Sequence, residues 1–289
     1  MKTQRLILPI LPFLVAGMVH ADNIDVNLTS GASIVQGGNG NATIFTATAG
    51  VSTSPGNSGG IETWVVTPRV GNGTPQTMTF ESHDPVSGAR FRYDVTYEGY
   101  TVDPTNGVLG AINMRNGGGG VDSTLGGEDR GQIDSEAYLS GTTGAHEFLR
   151  LTVDNLVVTD AGSFDSLALS GFYDLTLKKI GDQDETGDIM VAGDPTSVGT
   201  SSVGSWSVLL SDGINSNAGF TQMFSAPASS VDVLPSTGKM FVRGVGIRVE
   251  GTTSGVPSAP TGLVATATPG SGQIVLDWDD NDPGDNVTS

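Results

Sequence analysis

The segment from Arg90 to Tyr97 alternates between apolar and polar side chains without interruption. Its apolar positions are Phe91, Tyr93, Val95 and Tyr97. A repeat of two residues belongs to an extended strand, which turns one face to a core and the other to water. A helix would instead show an apolar stripe every three to four residues, and no stretch of the chain has one. The sequence therefore predicts an all-β fold.

Three further segments alternate in the same way and are predicted to be strands with one buried face. The predicted buried residues are Leu149, Leu151 and Val153; Tyr173, Leu175 and Leu177; and Phe241, Val245, Ile247 and Val249. Shorter apolar runs between turn residues predict strands at 42–47, 62–67, 76–82, 108–114, 166–170, 189–192, 205–210 and 220–224. About ten to fourteen strands in one stretch favour a large antiparallel, jelly-roll-like β-sandwich, and two smaller sandwiches are the alternative.

Composition and charge further restrict the possible fold classes and functions. Glycine contributes 42 of 289 residues, and charged residues are only 15 %, which favours a turn-rich β-protein over a helical bundle. The net charge of −18 argues against nucleic acid as a partner, because that binding needs clustered Lys and Arg. There is no cysteine, so disulfides, thiolate metal sites and cysteine nucleophiles are excluded.

The N-terminus has the pattern of a secretory signal peptide. Lys2 and Arg5 precede a largely apolar segment, and Val19-His20-Ala21 offers small residues for cleavage after Ala21. We therefore assign 1–21 to a signal peptide and expect a secreted or cell-surface protein with no membrane insertion after cleavage. The β-sandwich domain is assigned to 22–250.

The C-terminal part resembles the start of a fibronectin type III domain. A Pro- and Gly-rich stretch at 251–260 is predicted to be a linker. The residues that carry the resemblance are Pro257, Pro260, Leu263, Ala265, Ile274, Leu276 and Trp278. The resemblance implies an Ig-like module at 261–289. A complete sandwich of this kind needs about 100 residues, so we expect an incomplete module and a protein that continues beyond Ser289.

A second resemblance covers the range 107–172. It comprises a glycine-rich turn, Gly131-Gln-Ile-Asp134, a hydrophobic strand from Glu147 to Val153, and Leu167-x-Leu169-x-Gly171-Phe172. This run is similar to exported bacterial β-sandwich domains of proteins with PEP-CTERM sorting tails. The resemblance implies an extracellular location and says less about any activity.

We predict no catalytic residue. Gly56-Asn-Ser58-Gly-Gly60 fits the G-x-S-x-G pattern, but the strand–turn–helix that positions such a serine is not predicted. Glu147, Asp154 and Asp174 lie on predicted polar strand faces and could act as paired acids only if those faces formed a cleft. This chain is therefore interpreted as non-enzymatic, although a catalytic domain could follow Ser289.

Two kinds of binding site are predicted. Asp182, Asp184, Glu185 and Asp188 could hold a structural calcium ion, with a solvated acidic turn as the alternative; no cofactor is required. Tyr100, Tyr138, Trp64 and Trp206 are the candidate aromatic contacts to a glycan. Tyr100 falls on the wet face if the register of Arg90–Tyr97 continues, whereas both tryptophans lie in apolar runs that favour core packing.

These features predict a secreted, non-catalytic β-sandwich module of a larger modular bacterial surface or extracellular protein. Its expected partner is a polysaccharide or cell-surface glycan, which gives a binding or adhesive function. Two alternatives stay open: the accessory N-terminal region of a secreted polysaccharide-degrading enzyme, and a structural surface or matrix subunit.

Overall fold

A computed structural model describes residues 19–29, 60–67, 75–103, 107–110, 112–115, 118–121, 132–135, 144–179, 184–194, 198–199, 201–208, 219–254, 261–267 and 274–279. Throughout these ranges regular secondary structure is strand only, so the all-β prediction is confirmed. The chain forms two compact units. One is Ala21–Thr252, and the other comprises Met1–His20 with Thr253–Ser289.

The larger unit contains two antiparallel sheets arranged as a sandwich. Its strands are β1 (Val19–Thr29), β2 (Glu62–Thr67), β3 (Gln76–His83), β4 (Arg90–Asp103), β5 (Gly107–Gly110), β6 (Ile112–Arg115), β7 (Gly118–Val121), β8 (Ile133–Asp134), β9 (His146–Asp160), β10 (Ser166–Lys179), β11 (Glu185–Val191), β12 (Ser202–Val208), β13 (Gly219–Ala228), β14 (Ser230–Thr237) and β15 (Lys239–Ser254). The eight-stranded sheet has the order β12-β11-β14-β9-β4-β3-β2, with β5 beside β4. The seven-stranded sheet has the order β13-β10-β15-β7-β6, with β1 and β8 also pairing with β15.

The core lies between the two sheets and uses the alternation that the sequence predicts. Phe91, Tyr93, Val95 and Tyr97 of β4 are all fully buried in it. The seven-stranded sheet contributes residues such as Leu175, Val245 and Ile247. Full burial of one large apolar side chain contributes roughly 1.5–3 kcal/mol, so these rows hold the sheets together.

Tyr173 and Phe241 are buried as predicted, at 7 % exposure each, but two β-bulges leave them outside the core cluster. The pairing of β10 with β15 shifts between Phe172 and Asp174, and Phe172 joins the core cluster instead of Tyr173. A second shift between Thr176 and Leu177 has the same effect on β15, where Val242 joins the core instead of Phe241. A bulge adds one residue to a strand and so reverses the faces beyond it.

The smaller unit contains one described hairpin. Strand β16 (Thr261–Ala267) pairs antiparallel with β17 (Ile274–Asp279), beginning at Ala267 opposite Ile274. Strand β15 ends at Ser254, inside the range 251–260 that the sequence analysis assigns to a linker. In the part of the chain that the structure describes, no helix is long and apolar enough to cross a membrane.

Candidate functional site

Tyr100 lies on the outer face of the eight-stranded sheet, the face turned away from the core. The alternation of β4 continues through it, because Gly99 and Thr101 are buried while Tyr100 is partly exposed. Its ring stacks on Phe148, its partner across β4 and β9, with 4.9 Å between ring centroids and 17° between planes. Phe148 is fully buried, although it lies outside the core cluster between the sheets. Tyr100 therefore packs against a buried ring and remains partly exposed on the outer face.

A buried ion pair lies beside this aromatic stack. Arg150 of β9 and Asp232 of β14 are register partners, and Nε and Nη2 of Arg150 donate to the two carboxylate oxygens at 2.8 and 2.9 Å. The backbone N–H of Gly199 also donates to Asp232, at 3.2 Å. The two side chains are 8 % and 0 % exposed, so this bidentate pairing offsets the cost of removing both charges from water.

The guanidinium of Arg150 lies beside the two stacked aromatic rings. Its central carbon lies 5.4 Å from the ring centroid of Tyr100 and 5.7 Å from that of Phe148, which is cation–π geometry. The hydrogen bond to Asp232 raises the pKa of Arg150, so this charge is permanent. Burial, followed by the nearby Glu98, raises the pKa of Tyr100, which keeps its hydroxyl a neutral donor and acceptor.

The two tryptophans have different environments. Trp206 of β12 is 4 % exposed and belongs to the core, where its ring packs directly over Gly187. Trp64 of β2 is 38 % exposed, contrary to the core packing that its apolar run favours. It lies opposite Glu81, whose own partner on β4 is Arg92. Trp64 therefore belongs to a different part of the sheet from Tyr100, roughly 26 Å along β4 at about 3.3 Å per residue. Tyr138 lies outside the described residues.

The acidic run is strand in its second half, which separates its carboxylates. Glu185 is fully buried, Asp184 is exposed, and Asp188 is partly exposed and accepts a hydrogen bond from Oγ of Ser205 at 2.8 Å. Glu185 and Asp188 are three residues apart on β11, so they point to opposite faces. No group of three or more His, Asp or Glu side chains within the described ranges is arranged to hold a metal ion. Asp182 lies outside them.

The residues weighed for catalysis are also dispersed. Glu147 is buried and accepts a hydrogen bond from the backbone N–H of Asp134 at 2.9 Å, whereas Asp154 is exposed on the outer face of the same sheet. Asp174 belongs to the other sheet. Three carboxylates on different surfaces do not form the facing pair that glycoside hydrolysis requires. Ser58 lies outside the described residues.

Sequence reasoning missed Phe148 and Asp232 as parts of the Tyr100 site. The alternation of Leu149, Leu151 and Val153 predicts Arg150 on the polar face of a strand, but its partner is 82 residues away along the chain. The alternation of Val231, Asp232 and Val233 is the available signal, since it predicts an aspartate on the outer face of a strand. The sequence around Asp232 does not show which strand will lie next to it in the sheet.

No family model matches the chain, and neither does any curated protein or solved structure. The fold class is therefore established by the two sheets themselves, and both family resemblances stay predictions.

Proposed function

We propose that this chain is a secreted, non-catalytic β-sandwich module of a larger extracellular protein, and that it binds a neutral glycan through the Tyr100 site. The observation that carries the proposal is the partly exposed Tyr100 ring, held against Phe148 and flanked by the Arg150 guanidinium. The predicted signal peptide supports the extracellular location. The β16–β17 hairpin supports a following fibronectin-like module, since that resemblance requires two paired strands.

The Tyr100 site has the physical features that sugar recognition needs. A sugar ring offers an apolar face of C–H groups, which packs on an aromatic ring, and a rim of hydroxyls that need polar partners. Tyr100 supplies the ring and a neutral hydroxyl, and the neighbouring Glu98 supplies a carboxylate. Because the ring is already stacked on Phe148, little side-chain freedom is lost on binding.

Charge selects the class of glycan. The Arg150 guanidinium is neutralised by Asp232 in a bidentate pair and therefore offers no free cation to an acidic sugar. The whole chain carries a net charge of −18, which repels anionic polymers at low ionic strength. A neutral polysaccharide is the ligand class that this surface favours.

The test is a screen of neutral and acidic oligosaccharides against the full chain, with and without calcium, followed by titration calorimetry on each ligand found. Tyr100→Ala should weaken binding at least tenfold, equal to about 1.4 kcal/mol, because the stacking face is lost. Tyr100→Phe should retain most of the affinity. Trp64→Ala is the matched control, since it removes an exposed aromatic ring elsewhere on the same sheet and should leave affinity unchanged.

Two results would contradict this proposal. One is a screen that stays blank for folded protein under both calcium conditions. The other is a ligand whose affinity is the same for Tyr100→Ala as for the unsubstituted chain.

A further inference from the structure

The outer face of the seven-stranded sheet carries a second polar cluster, which joins three strands. Asp25 comes from β1, Tyr173 and Asp174 from β10, and Arg248 from β15. Nε and Nη2 of Arg248 donate to the two carboxylate oxygens of Asp25 at 2.7 and 2.8 Å. Since 223 residues separate these two side chains, the pair fastens the N-terminal strand to the last strand of the sandwich.

Tyr173 makes a second connection to β1 across β15. Its hydroxyl donates to Oδ1 of Asn27 at 2.8 Å, and the guanidinium carbon of Arg248 lies 5.0 Å from its ring centroid. The ring crosses β15 at Gly246, where a Cβ would lie 2.7 Å from Cζ of Tyr173 and would also collide with Oδ1 of Asp174. Glycine at this position therefore permits side chains of β10 to reach over β15.

Asp174 lies inside this arrangement and is 8 % exposed. Its register partner on β15 is Gly246, whose backbone N–H donates to the carboxylate. Burial, with the like charge of Asp25 as the next cause, raises the pKa of Asp174 to about 6. Arg248 lowers the pKa of Asp174 by less than burial and Asp25 raise it, and its guanidinium is bound bidentately by Asp25.

We propose that the protonation state of Asp174 controls how firmly strand β1 is held on the sheet, with acid tightening the attachment and alkali loosening it. An ionised Asp174 repels Asp25 and competes with it for Arg248. A protonated Asp174 removes that repulsion and leaves the Asp25–Arg248 pair intact. This device is independent of the Tyr100 site, which lies on the other sheet.

Two charged side chains act on the pKa of Asp174. From β1 the facing charge is Asp25, from β15 it is Arg248, and on β10 the neighbour is Tyr173. The pKa of Tyr173 is raised above its ordinary value by burial and that of Arg248 by its bond to Asp25, so neither changes charge near neutral pH. The partner on β13 is Met223, which carries no charge.

The direction of the pH effect follows from linkage. The pKa of Asp174 is higher in the folded chain, at about 6, than its ordinary value of 3.8, so folding is favoured as the pH falls. The contribution of Asp174 to the folding equilibrium should rise about tenfold between pH 8 and pH 5. The gain is complete below the ordinary pKa.

The experiment is amide hydrogen exchange on the full chain at pH 5, 6.5 and 8, corrected for the intrinsic exchange rates. Protection of the β1 amides should rise up to about tenfold from pH 8 to pH 5. In Asp174→Asn it should stay high at all three pH values, because an amide keeps the acceptor for Gly246 and has no charge. Asp188→Asn, on the other sheet, is the matched control and should behave as the unsubstituted chain.

The proposal is overturned if Asp174→Asn keeps the pH dependence of β1, or if protection of β1 changes only in parallel with every other strand. A carboxyl NMR titration of the unsubstituted chain provides a test that needs no variant. An apparent pKa for Asp174 below 5 would also overturn it.

Discussion

Two arginine–aspartate pairs lie on the two outer faces of the sandwich and have a similar arrangement. Each is bidentate, and each guanidinium lies beside a tyrosine ring, with Arg150 5.4 Å from the ring centroid of Tyr100 and Arg248 5.0 Å from that of Tyr173. The first pair is 8 % and 0 % exposed, and the second is 26 % and 11 % exposed. The main difference is the burial of the neighbouring acid, because Asp174 beside the second pair is 8 % exposed, whereas Glu98 beside the first pair is partly exposed.

Because both pairs are bidentate, we expect the balance of buried charge, and not the geometry of the pair, to separate their behaviour. Asp232 receives Arg150 and the backbone N–H of Gly199, so its negative charge is fully matched. In the second cluster a second buried carboxylate, that of Asp174, acts on the same guanidinium as Asp25. We therefore expect the first pair to behave as a fixed structural link and the second to respond to pH.

The largest expected effect is on the buried pair. Asp232→Ala should lower the free energy of unfolding by about 3–5 kcal/mol, because it leaves the charge of Arg150 buried without its partner. Asp25→Ala should cost less, since water reaches Arg248. Urea unfolding measures both. The double variant Arg150→Met with Asp232→Leu is the control and should recover most of the loss. Equal losses in the two single variants would remove the proposed distinction between the pairs.

The next effect concerns the glycine beneath Tyr173. Gly246→Ala should destabilise the fold by about 1–3 kcal/mol, because the new methyl group would overlap the side chains of Asp174 and Tyr173. Thermal unfolding at pH 5 is the measurement. Gly193→Ala is the control, since a Cβ there would meet its nearest neighbour at an ordinary 3.8 Å. A stable Gly246→Ala variant would mean that Tyr173 can reach Asn27 by another path.

The pH dependence of the free energy of unfolding should differ between variants of the two clusters. At pH 8 Asp174→Asn should stabilise the chain by about 1–2 kcal/mol, because the raised pKa of Asp174 penalises folding above about pH 6. The gain should shrink as the pH falls through 6 and vanish near pH 4. Denaturant midpoints at a series of pH values measure it. A gain that is constant with pH would assign the effect to packing and not to charge.

The smallest expected effect is the loss of stability when a tyrosine hydroxyl is removed, and it should differ between Tyr173 and Tyr100. Tyr173→Phe should cost about 1 kcal/mol, the net value of its hydrogen bond to Asn27. Tyr100→Phe should cost less, because its hydroxyl is on the partly exposed side of the sheet. Melting temperatures of the two variants at the same pH provide the comparison. If Tyr100→Phe were the more damaging, Tyr100 would be a structural residue and a poor candidate for ligand contact.

The two tryptophans show how similar local patterns lead to different outcomes. Trp64 and Trp206 both lie in short apolar runs, yet one is 38 % exposed and the other 4 %. Trp64 is on β2 at the end of its sheet, on the same outer side as the exposed Glu62. Trp206 faces inward and packs where Gly187 leaves space. Neither the strand order nor the glycine opposite can be inferred from the run itself.

The buried face of strand β4 was determined by the sequence alone. Alternation from Arg90 to Tyr97 predicts the buried face of β4 correctly and places Tyr100 on the outer face, because the pleat of an extended backbone turns successive side chains to opposite sides. That rule acts within a few residues and needs no partner strand.

Only the tertiary structure decided the bulges and the charged clusters. The face of Tyr173 depends on a register shift that exists only where β10 pairs with β15. Asp25 and Arg248 meet across 223 residues, and Arg150 and Asp232 across 82. The strength of such a pair and the pKa of Asp174 depend on burial and on neighbouring charge, which are set by strands that come together only in the folded sheet.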